Sequence, residues 1–273
     1  MTSRFEADTA VQRIGSVEES RAGLTVGYLG RIDHSWWIMI GPNGGYIGAI
    51  VARAICDAAG DATRRLSSLT VHYLRVPAEG ACEIEVHIER VGRRVSSVTA
   101  RLIQAGQPIV LGIASLSVPQ PSLSFDGLVS PEVPEPDSIL LPPDSEPPPI
   151  EMAQHFDNRP VFGNRLGSLD SPGVARTGGW MRYLDPTPVD EVVLVALADA
   201  WWPPLMEVSD EPMAAPTVDL TVHIRSVPAD PLQHVLGEFT SPLAGEGHTV
   251  EDGRLWSRTG RLLAESRQLA VLL

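Results

Sequence analysis

Asp199 is the carboxylate whose position in the sequence points most directly to chemistry. It follows an apolar stretch, residues 192–198, which predicts that its side chain is largely removed from water. Because burial disfavours the charged form of a carboxyl group, such an aspartate has a raised pKa and suits a general base near neutral pH. A capping or solvent-facing aspartate near a helix end is the alternative interpretation, and the stretch alone leaves both open.

Two adjacent glycines, Gly44 and Gly45, are a second candidate for chemistry. They follow Pro42 and Asn43 and open a predicted helix. A helix N-terminus offers free backbone N–H groups and the positive end of the helix dipole, which stabilise a developing oxyanion. We therefore predict that the Gly45 N–H helps to form an oxyanion hole, although a tight turn would also explain both glycines.

The elements that must position these residues follow the same plan in each half of the chain. Apolar periodicity predicts one helix per half, over residues 42–59 and 191–202, each preceded by a strand near 23–31 or 177–183. The strands that follow are predicted at 68–76, 82–91, 95–104 and 108–118, then at 217–227, 234–243, 248–257 and 262–272. This order predicts an α+β fold in which an antiparallel sheet wraps around a long helix in each half, with the two sheets joined edge to edge.

A proline-rich segment separates the two halves. Ten prolines lie between Pro119 and Pro149, and proline removes a backbone donor and fixes φ, which excludes central strand or helix. We predict an N-terminal domain over residues 1–118, a linker over 119–158 and a C-terminal domain over 159–273.

The halves also share sequence motifs. LTVHYLRVP begins at Leu69 and LTVHIRSVP begins at Leu220, an offset of 151 residues. A set of polar residues in the second half has counterparts without a polar side chain in the first, which predicts a single asymmetric site. The offset of 151 pairs Asp199 with Gly48 and Thr217 with Leu66. Matching the last strands by Gly106 and Gly260 pairs Gln268 with Ala114.

Composition excludes several classes of function. The chain has a net charge of −13 and no lysine among its 21 basic residues, which argues against a nucleic-acid binder and excludes a P-loop or Schiff-base lysine. Cys56 and Cys82 form no metal-binding pattern, so we expect no metal. No apolar run is long enough to span a membrane and no signal core opens the chain, so we expect a cytoplasmic protein without a membrane partner. GxSxG and GxGxxG motifs are absent, which disfavours a serine esterase and a dinucleotide-dependent enzyme.

Five motifs, in this order and spacing, resemble those of the TesB-type acyl-CoA thioesterases in the thioesterase-like superfamily. They are GGYIG from Gly44, YLR from Tyr73, ADAW from Ala198, PTVD from Pro216 and GRLLAESRQ from Gly260. The resemblance covers most of both halves and fails only in the linker. It implies a double hotdog fold, two tandem hotdog domains each with a sheet around a long helix.

The resemblance also implies a reaction and a set of site residues. In that family an aspartate, a threonine and a glutamine in the second half hold and activate the water that attacks the thioester. They fall here on Asp199, Thr217 and Gln268. The implied substrate is an acyl-CoA, with no cofactor, in fatty acid metabolism, and the chain is expected to form a homo-oligomer. The stretch between Asp199 and Thr217 is shorter than in the best-known members, which leaves the acyl chain length open.

A second function stays open at this point. A double hotdog protein that binds an acyl-CoA or another acyl thioester without hydrolysing it would retain the same motifs. Convergence of the three polar side chains on one water position would favour catalysis, because hydrogen bonds require short distances.

Overall fold

The structure, a computed structural model, describes residues 2–20, 23–140, 150–163, 174–209 and 213–273. The α-helices are α1 (Arg4–Asp8), α2 (Gly44–Ala59) and α3 (Glu191–Leu197). The strands are β1 (Gln12–Ser20), β2 (Gly23–Ile32), β3 (Arg65–Tyr73), β4 (Gly80–Val91), β5 (Val95–Gln104), β6 (Gln107–Ser117), β7 (Phe156–Phe162), β8 (Arg176–Tyr183), β9 (Thr217–Ile224), β10 (Val235–Gly245), β11 (His248–Trp256) and β12 (Leu262–Val271). Short 3₁₀ turns cover His34–Trp36, Pro136–Ser138, Glu151–His155 and Pro204–Glu207.

All twelve strands form one antiparallel sheet. The strand order is β1-β2-β4-β5-β6-β3-β9-β12-β11-β10-β8-β7, so the first six strands occupy one half and the last six the other. The halves meet where β3 pairs with β9, which is the edge-to-edge joining that the sequence predicts. This pairing covers one strand edge from each half, and such edges would otherwise carry unpaired backbone groups.

The repeat offset of 151 is reproduced at this junction. Thr70 of β3 lies opposite Thr221 of β9, and their hydroxyl oxygens are 2.9 Å apart. Each strand also carries a bulge at an equivalent residue, Ser67 in β3 and Val218 in β9. Because a bulge changes which side chains face the core, the two strands repeat each other in conformation as well as in sequence.

Helix α2 agrees with its sequence prediction. Asn43 is its N-cap, and the Asn43 side-chain oxygen accepts a hydrogen bond from the Tyr46 N–H at 2.9 Å. The helix ends at Gly60, whose φ of +61° lies in the left-handed region that glycine enters without steric cost. Eleven of its residues are buried, so the sheet surrounds it closely.

Helix α3 corrects the prediction of a long helix in each half. Asp190 caps it by accepting from the Val193 N–H at 2.8 Å, but it ends at Leu197 rather than at residue 202. Pro203 and Pro204 follow soon after, and proline can neither donate a helical hydrogen bond nor fit beside the preceding turn. The early end leaves Asp199 on the turn that follows the helix.

Strands β1 and β7 were not expected from the sequence. Both lie at the outer edges of the sheet. Strand β7 contains Pro160, and an edge strand tolerates proline because one side of its backbone needs no partner. It begins at Phe156, inside the predicted linker, while residues 141–149 of that segment lie outside the described residues.

The main hydrophobic core lies between α2, α3 and the inner face of the sheet. Its largest fully buried side chains include Trp36, Tyr28 and Tyr46. A smaller cluster contains Trp180 and Trp256. These residues alternate along their strands with Met181 and Leu255 of the main core, so the smaller cluster lies on the opposite face of the sheet. Among the helices that the structure describes, none is both long and apolar enough to cross a membrane.

Candidate active site

Asp199 lies between the C-terminal end of α3 and the N-terminus of α2. Its Oδ2 accepts a hydrogen bond from the Gly45 N–H at 2.9 Å, and its Oδ1 accepts one from the Gln268 side-chain amide at 3.2 Å. The carboxylate therefore joins helix α2 of one half to strand β12 of the other. This contact exists because α3 stops early and turns its end toward α2.

Asn43 holds the same carboxylate from the helix cap. While its oxygen caps α2, its Nδ2 donates to the Asp199 backbone oxygen at 2.6 Å and to Oδ2 at 3.1 Å. Asn43 is only 5% exposed, so these bonds are shielded from water. The sequence predicts Asn43 as part of the helix start but not as part of the site.

The close approach of the two helices explains the glycines. A Cβ on Gly45 would lie 2.5 Å from the Ala196 backbone oxygen, and one on Gly44 would lie 2.9 Å from Asp199 Oδ2. Side chains at these positions would therefore separate α2 from the carboxylate. The Gly45 N–H, predicted as an oxyanion donor, is used by Asp199 here, so its role toward a substrate oxygen stays a prediction.

Thr217 and Gln268 complete a continuous chain of hydrogen bonds with Asp199. The Thr217 hydroxyl donates to Gln268 Oε1 at 2.7 Å, and the Gln268 amide nitrogen donates to Asp199. Gln268 is 7% exposed and lies on β12, next to β9, which begins at Thr217. The three residues predicted from the sequence thus lie together on the inner side of the sheet.

Glu251 is a fourth side chain of this cluster and was missed by the sequence reasoning. It lies on β11 directly opposite Gln268, whose Nε2 also donates to Glu251 Oε1 at 2.9 Å. It shares one face of the strand with Thr249, Gly253 and Leu255, which are buried in the structure, and the alternation of side chains along a strand is the only signal that the sequence carries for this. A glutamate in that register must face the interior of the second half.

The two carboxyl groups have different proton affinities. Burial raises the pKa of Asp199 to about 6, against the opposing effect of hydrogen bonds from Gly45, Gln268 and Asn43. Burial, followed by the negative charge of Asp199, raises the pKa of Glu251 to about 8, and the bond from Gln268 opposes this. Near neutral pH, Asp199 is therefore mostly ionised and Glu251 mostly protonated.

Tyr73 closes the cluster on the side of α2. Its hydroxyl donates to the Gly44 backbone oxygen at 2.7 Å. Burial and the nearby charge of Asp199 raise the pKa of Tyr73 well above its ordinary value, so this phenol stays protonated. It supports the first turn of α2, on which the Gly45 N–H depends.

Two models of known protein families match this chain. The family model of the acyl-CoA thioesterase N-terminal domain matches residues 33–117, and that of the acyl-CoA thioesterase C-terminal domain matches residues 133–272. The chain belongs to the acyl-CoA thioesterase family. Both matched regions contribute to the cluster: Asn43, Gly45 and Tyr73 lie in the first, and Asp199, Thr217, Glu251 and Gln268 lie in the second.

Relatives of this acyl-CoA thioesterase family member span nearly its whole length. The uncharacterized protein Rv0499 of Mycobacterium tuberculosis is 27% identical over 267 residues, which cover 89% of this chain and 90% of that protein. A hot dog fold protein of unknown function from Alicyclobacillus acidocaldarius has a TM-score of 0.87 and 25% identity, covering 100% of this chain and 99% of its own. The acyl-CoA thioesterase II TesB2 from Mycobacterium marinum has a TM-score of 0.75 and 18% identity, covering 98% of each chain, and shows likeness of fold. These neighbours agree with the large antiparallel sheet and its few helices.

A surface groove of this family member borders the strand that carries Gln268, which is among its lining residues. It encloses about 440 Å³ and is lined by Asp219, Thr221, His223 and Arg267, among others. These residues alternate along their strands with the inward-facing Leu220, Val222 and Gln268, so the groove is on the outer face of the sheet. Among the described residues, no group of three or more His, Cys, Asp or Glu side chains is arranged to hold a metal ion.

Proposed function

We propose that this chain hydrolyses an acyl-CoA thioester to the free acid and CoA, with Asp199 as general base. The observation that carries the proposal is the unbroken set of hydrogen bonds from Thr217 through Gln268 to Asp199. A water bound between the threonine hydroxyl and the carboxylate would attack the thioester carbonyl carbon. Asp199 takes the proton from that water, the C–S bond breaks, and the proton passes to the CoA sulfur to give the thiol.

The pKa of Asp199 supports this role. A general base works best when its pKa lies near the operating pH, because it is then both ionised and basic enough to accept a proton. With its pKa raised to about 6, Asp199 meets both conditions near neutrality. We expect kcat to fall as the pH decreases through that value, since protonated Asp199 cannot accept a proton.

The N-terminus of α2 is proposed to stabilise the negative charge that develops on the thioester oxygen. The Gly45 N–H donates to Asp199 Oδ2 in the substrate-free protein, so substrate must displace that oxygen to reach the N–H. Such an exchange would also free one carboxylate oxygen of Asp199 to accept the proton. The helix dipole favours the oxyanion at this position.

The same proposal covers the organisation and setting of the chain. Residues 1–118 and 159–273 would form two hotdog domains of a double hotdog, connected by residues 119–158. We place the protein in the cytoplasm and in fatty acid metabolism, acting on acyl-CoA without a cofactor and as a homo-oligomer. Nucleic acid and membranes are not among the proposed partners.

Replacement of Asp199 tests the reaction. Asp199→Asn keeps the shape of the side chain but removes the proton acceptor, so turnover should fall by about 100-fold or more, the scale of a general base. The measurement is thiol release from short, medium, long and aromatic acyl-CoAs. Asp219→Asn on the outer face is the matched control and should retain full activity. Equal activity of Asp199→Asn and the wild type would rule out this assignment.

One observation favours a second function, binding of an acyl thioester without hydrolysis. The Gly45 N–H and both hydrogens of the Gln268 amide are already bonded to carboxyl oxygens, so these donors are saturated without substrate. If the network does not open, a bound thioester meets no free donor. Calorimetric binding of a non-hydrolysable acyl-CoA thioether, together with no thiol release from the matching thioester, would support this alternative.

A further inference from the structure

The Gln268 amide contacts two carboxyl groups at once. Its nitrogen donates to Asp199 Oδ1 at 3.2 Å and to Glu251 Oε1 at 2.9 Å, and its oxygen accepts from Thr217. A carboxamide has two N–H hydrogens, so both are used, and the partners fix which way the amide points. If the amide were reversed, its oxygen would face two carboxyl oxygens and its nitrogen would face the threonine hydroxyl.

Within the part of the chain that the structure describes, no cationic partner explains the place of Glu251 in the interior. Among the described residues, the ion pairs include none to Glu251, whereas its neighbour Asp252 faces outward and pairs with Arg267 at 3.1 Å. Besides burial, the groups that shift the pKa of Glu251 are the Asp199 carboxylate, the Gln268 amide and, more weakly, Asp252 on the same strand. Each of the two charged neighbours is an anion, so the surroundings favour the protonated form of Glu251.

Two carboxyl groups that share one donor cannot both ionise without strong repulsion. Since the pKa of Asp199 is raised to about 6 and that of Glu251 to about 8, the first proton leaves Asp199 and the second stays on Glu251. The interval between these two values is the pH range in which the cluster has one base and one neutral acid.

We propose that Glu251 is a positioning residue for the hydrolysis, a neutral carboxyl group that anchors the Gln268 amide so that it donates to the Asp199 base. This inference rests on the proposed function of the site. It also predicts a limit at alkaline pH. Once Glu251 ionises, a second negative charge beside Asp199 opposes the oxyanion that forms during attack, so turnover should decline.

Two substitutions at Glu251 test the proposal through turnover. Glu251→Ala removes the anchor and should lower kcat by about 10- to 100-fold with little change in KM, as expected when a catalytic group loses its orientation. Glu251→Gln keeps an oxygen acceptor without a titratable proton, so it should restore kcat near neutral pH and lose the alkaline decline. Wild-type kcat in Glu251→Ala, or an unchanged alkaline decline in Glu251→Gln, would overturn the proposal.

A spectroscopic measurement separates this proposal from the proposed function. In protein labelled with ¹³C-carboxyl glutamate, the infrared C=O band of a protonated carboxyl should disappear as the pH rises through about 8, and Glu251→Gln should lack this band. The band needs no substrate, so it tests Glu251 even if no acyl-CoA is hydrolysed. Its absence at neutral pH in the wild type would mean that Glu251 is ionised and would contradict the inference. Asp252→Asn is the control: it should keep the band at neutral pH, with the disappearance moved slightly to lower pH, and should leave kcat near neutral pH unchanged.

Discussion

The two halves of the chain place different residues at the same point of the same backbone frame. Gln268 pairs with Leu220 in the second half, and Ala114 pairs with Leu69, the repeat counterpart of Leu220, in the first. The alignment of Gln268 with Ala114 that the sequence predicts is therefore confirmed by the strand registers. One copy of the frame holds a hydrogen-bonding amide where the other holds a methyl group.

Two further positions follow the same rule. Gln268 pairs with Glu251 on β11, whereas Ala114 pairs with Val98 on β5. Thr217 precedes the bulge in β9, and Leu66 precedes the equivalent bulge in β3. Val98 is 0% exposed and Leu66 is 2% exposed, so the first half is closed core where the second has a polar cluster. The fold does not require polar residues at these positions, so the polar residues of the second half serve chemistry rather than the stability of the fold.

Exchanging the matched pair should produce the largest contrast. Gln268→Ala removes the donor to Asp199 and should lower kcat by about 100-fold, because a displaced catalytic group loses its alignment. Ala114→Gln puts an amide into a packed core without partners and should lower the free energy of unfolding by about 2–4 kcal/mol. Thiol release and urea denaturation measure the two effects.

The contrast lies in which measurement each variant changes. Gln268→Ala should keep a cooperative unfolding transition near that of the wild type, and Ala114→Gln should keep kcat per folded molecule. If Ala114→Gln lowered kcat as strongly as Gln268→Ala while still folded, the first half would contribute to the reaction. The comparison between a closed core and a working site would then be wrong.

Much of this comparison was predictable, because it depends on local pattern and on a repeat. The strand ladder, helix α2 and the grouping of Asp199, Thr217 and Gln268 follow from alternation, the repeat offset and the family resemblance. The length of α3 was not predicted, since apolar residues continue beyond Leu197 while the proline pair that limits the helix lies later.

The contacts that depend on packing between distant elements could also not be predicted from the sequence. No local pattern indicates that the Gly45 N–H meets Asp199, because this bond joins residues 154 positions apart. The alternation of side chains along β11 could have predicted that Glu251 faces the interior. An acidic residue in an alternating strand is, however, normally interpreted as facing solvent. The sequence places Asn43 at the start of the helix, whereas its bonds to Asp199 require α3 to approach α2.

Replacing Thr217 should sharpen the comparison with a smaller effect. Thr217→Val keeps the shape of the side chain but removes the donor to Gln268 Oε1, so kcat should fall by about 5-fold, since a hydrogen bond contributes about 1 kcal/mol. Thr217→Ser retains the hydroxyl and should restore most of the activity in the same thiol-release assay.

The first-half counterpart of this change is Leu66→Thr. It buries a hydroxyl without a partner and removes apolar volume, so it should lower the free energy of unfolding by about 2–3 kcal/mol and leave kcat unchanged. A fall in stability for Thr217→Val as large as that for Leu66→Thr would contradict the division between site and core.

The smallest effect is expected at the junction, where the halves meet with identical residues. Thr70→Val and Thr221→Val each remove one hydroxyl of a pair whose oxygens are 2.9 Å apart. Each should lower the free energy of unfolding by about 0.5–1 kcal/mol, the scale of a cross-strand pair. Because the pair is a single interaction, the double variant should lose less stability than the sum of the two single variants, and a double-mutant cycle measures this coupling.

Neither threonine variant should change kcat, since the threonine side chains face away from the inward-facing Leu220 and Gln268. A drop in kcat without a drop in stability would show that the junction positions the site, and the two halves could then no longer be treated as a core and a site with separate tasks.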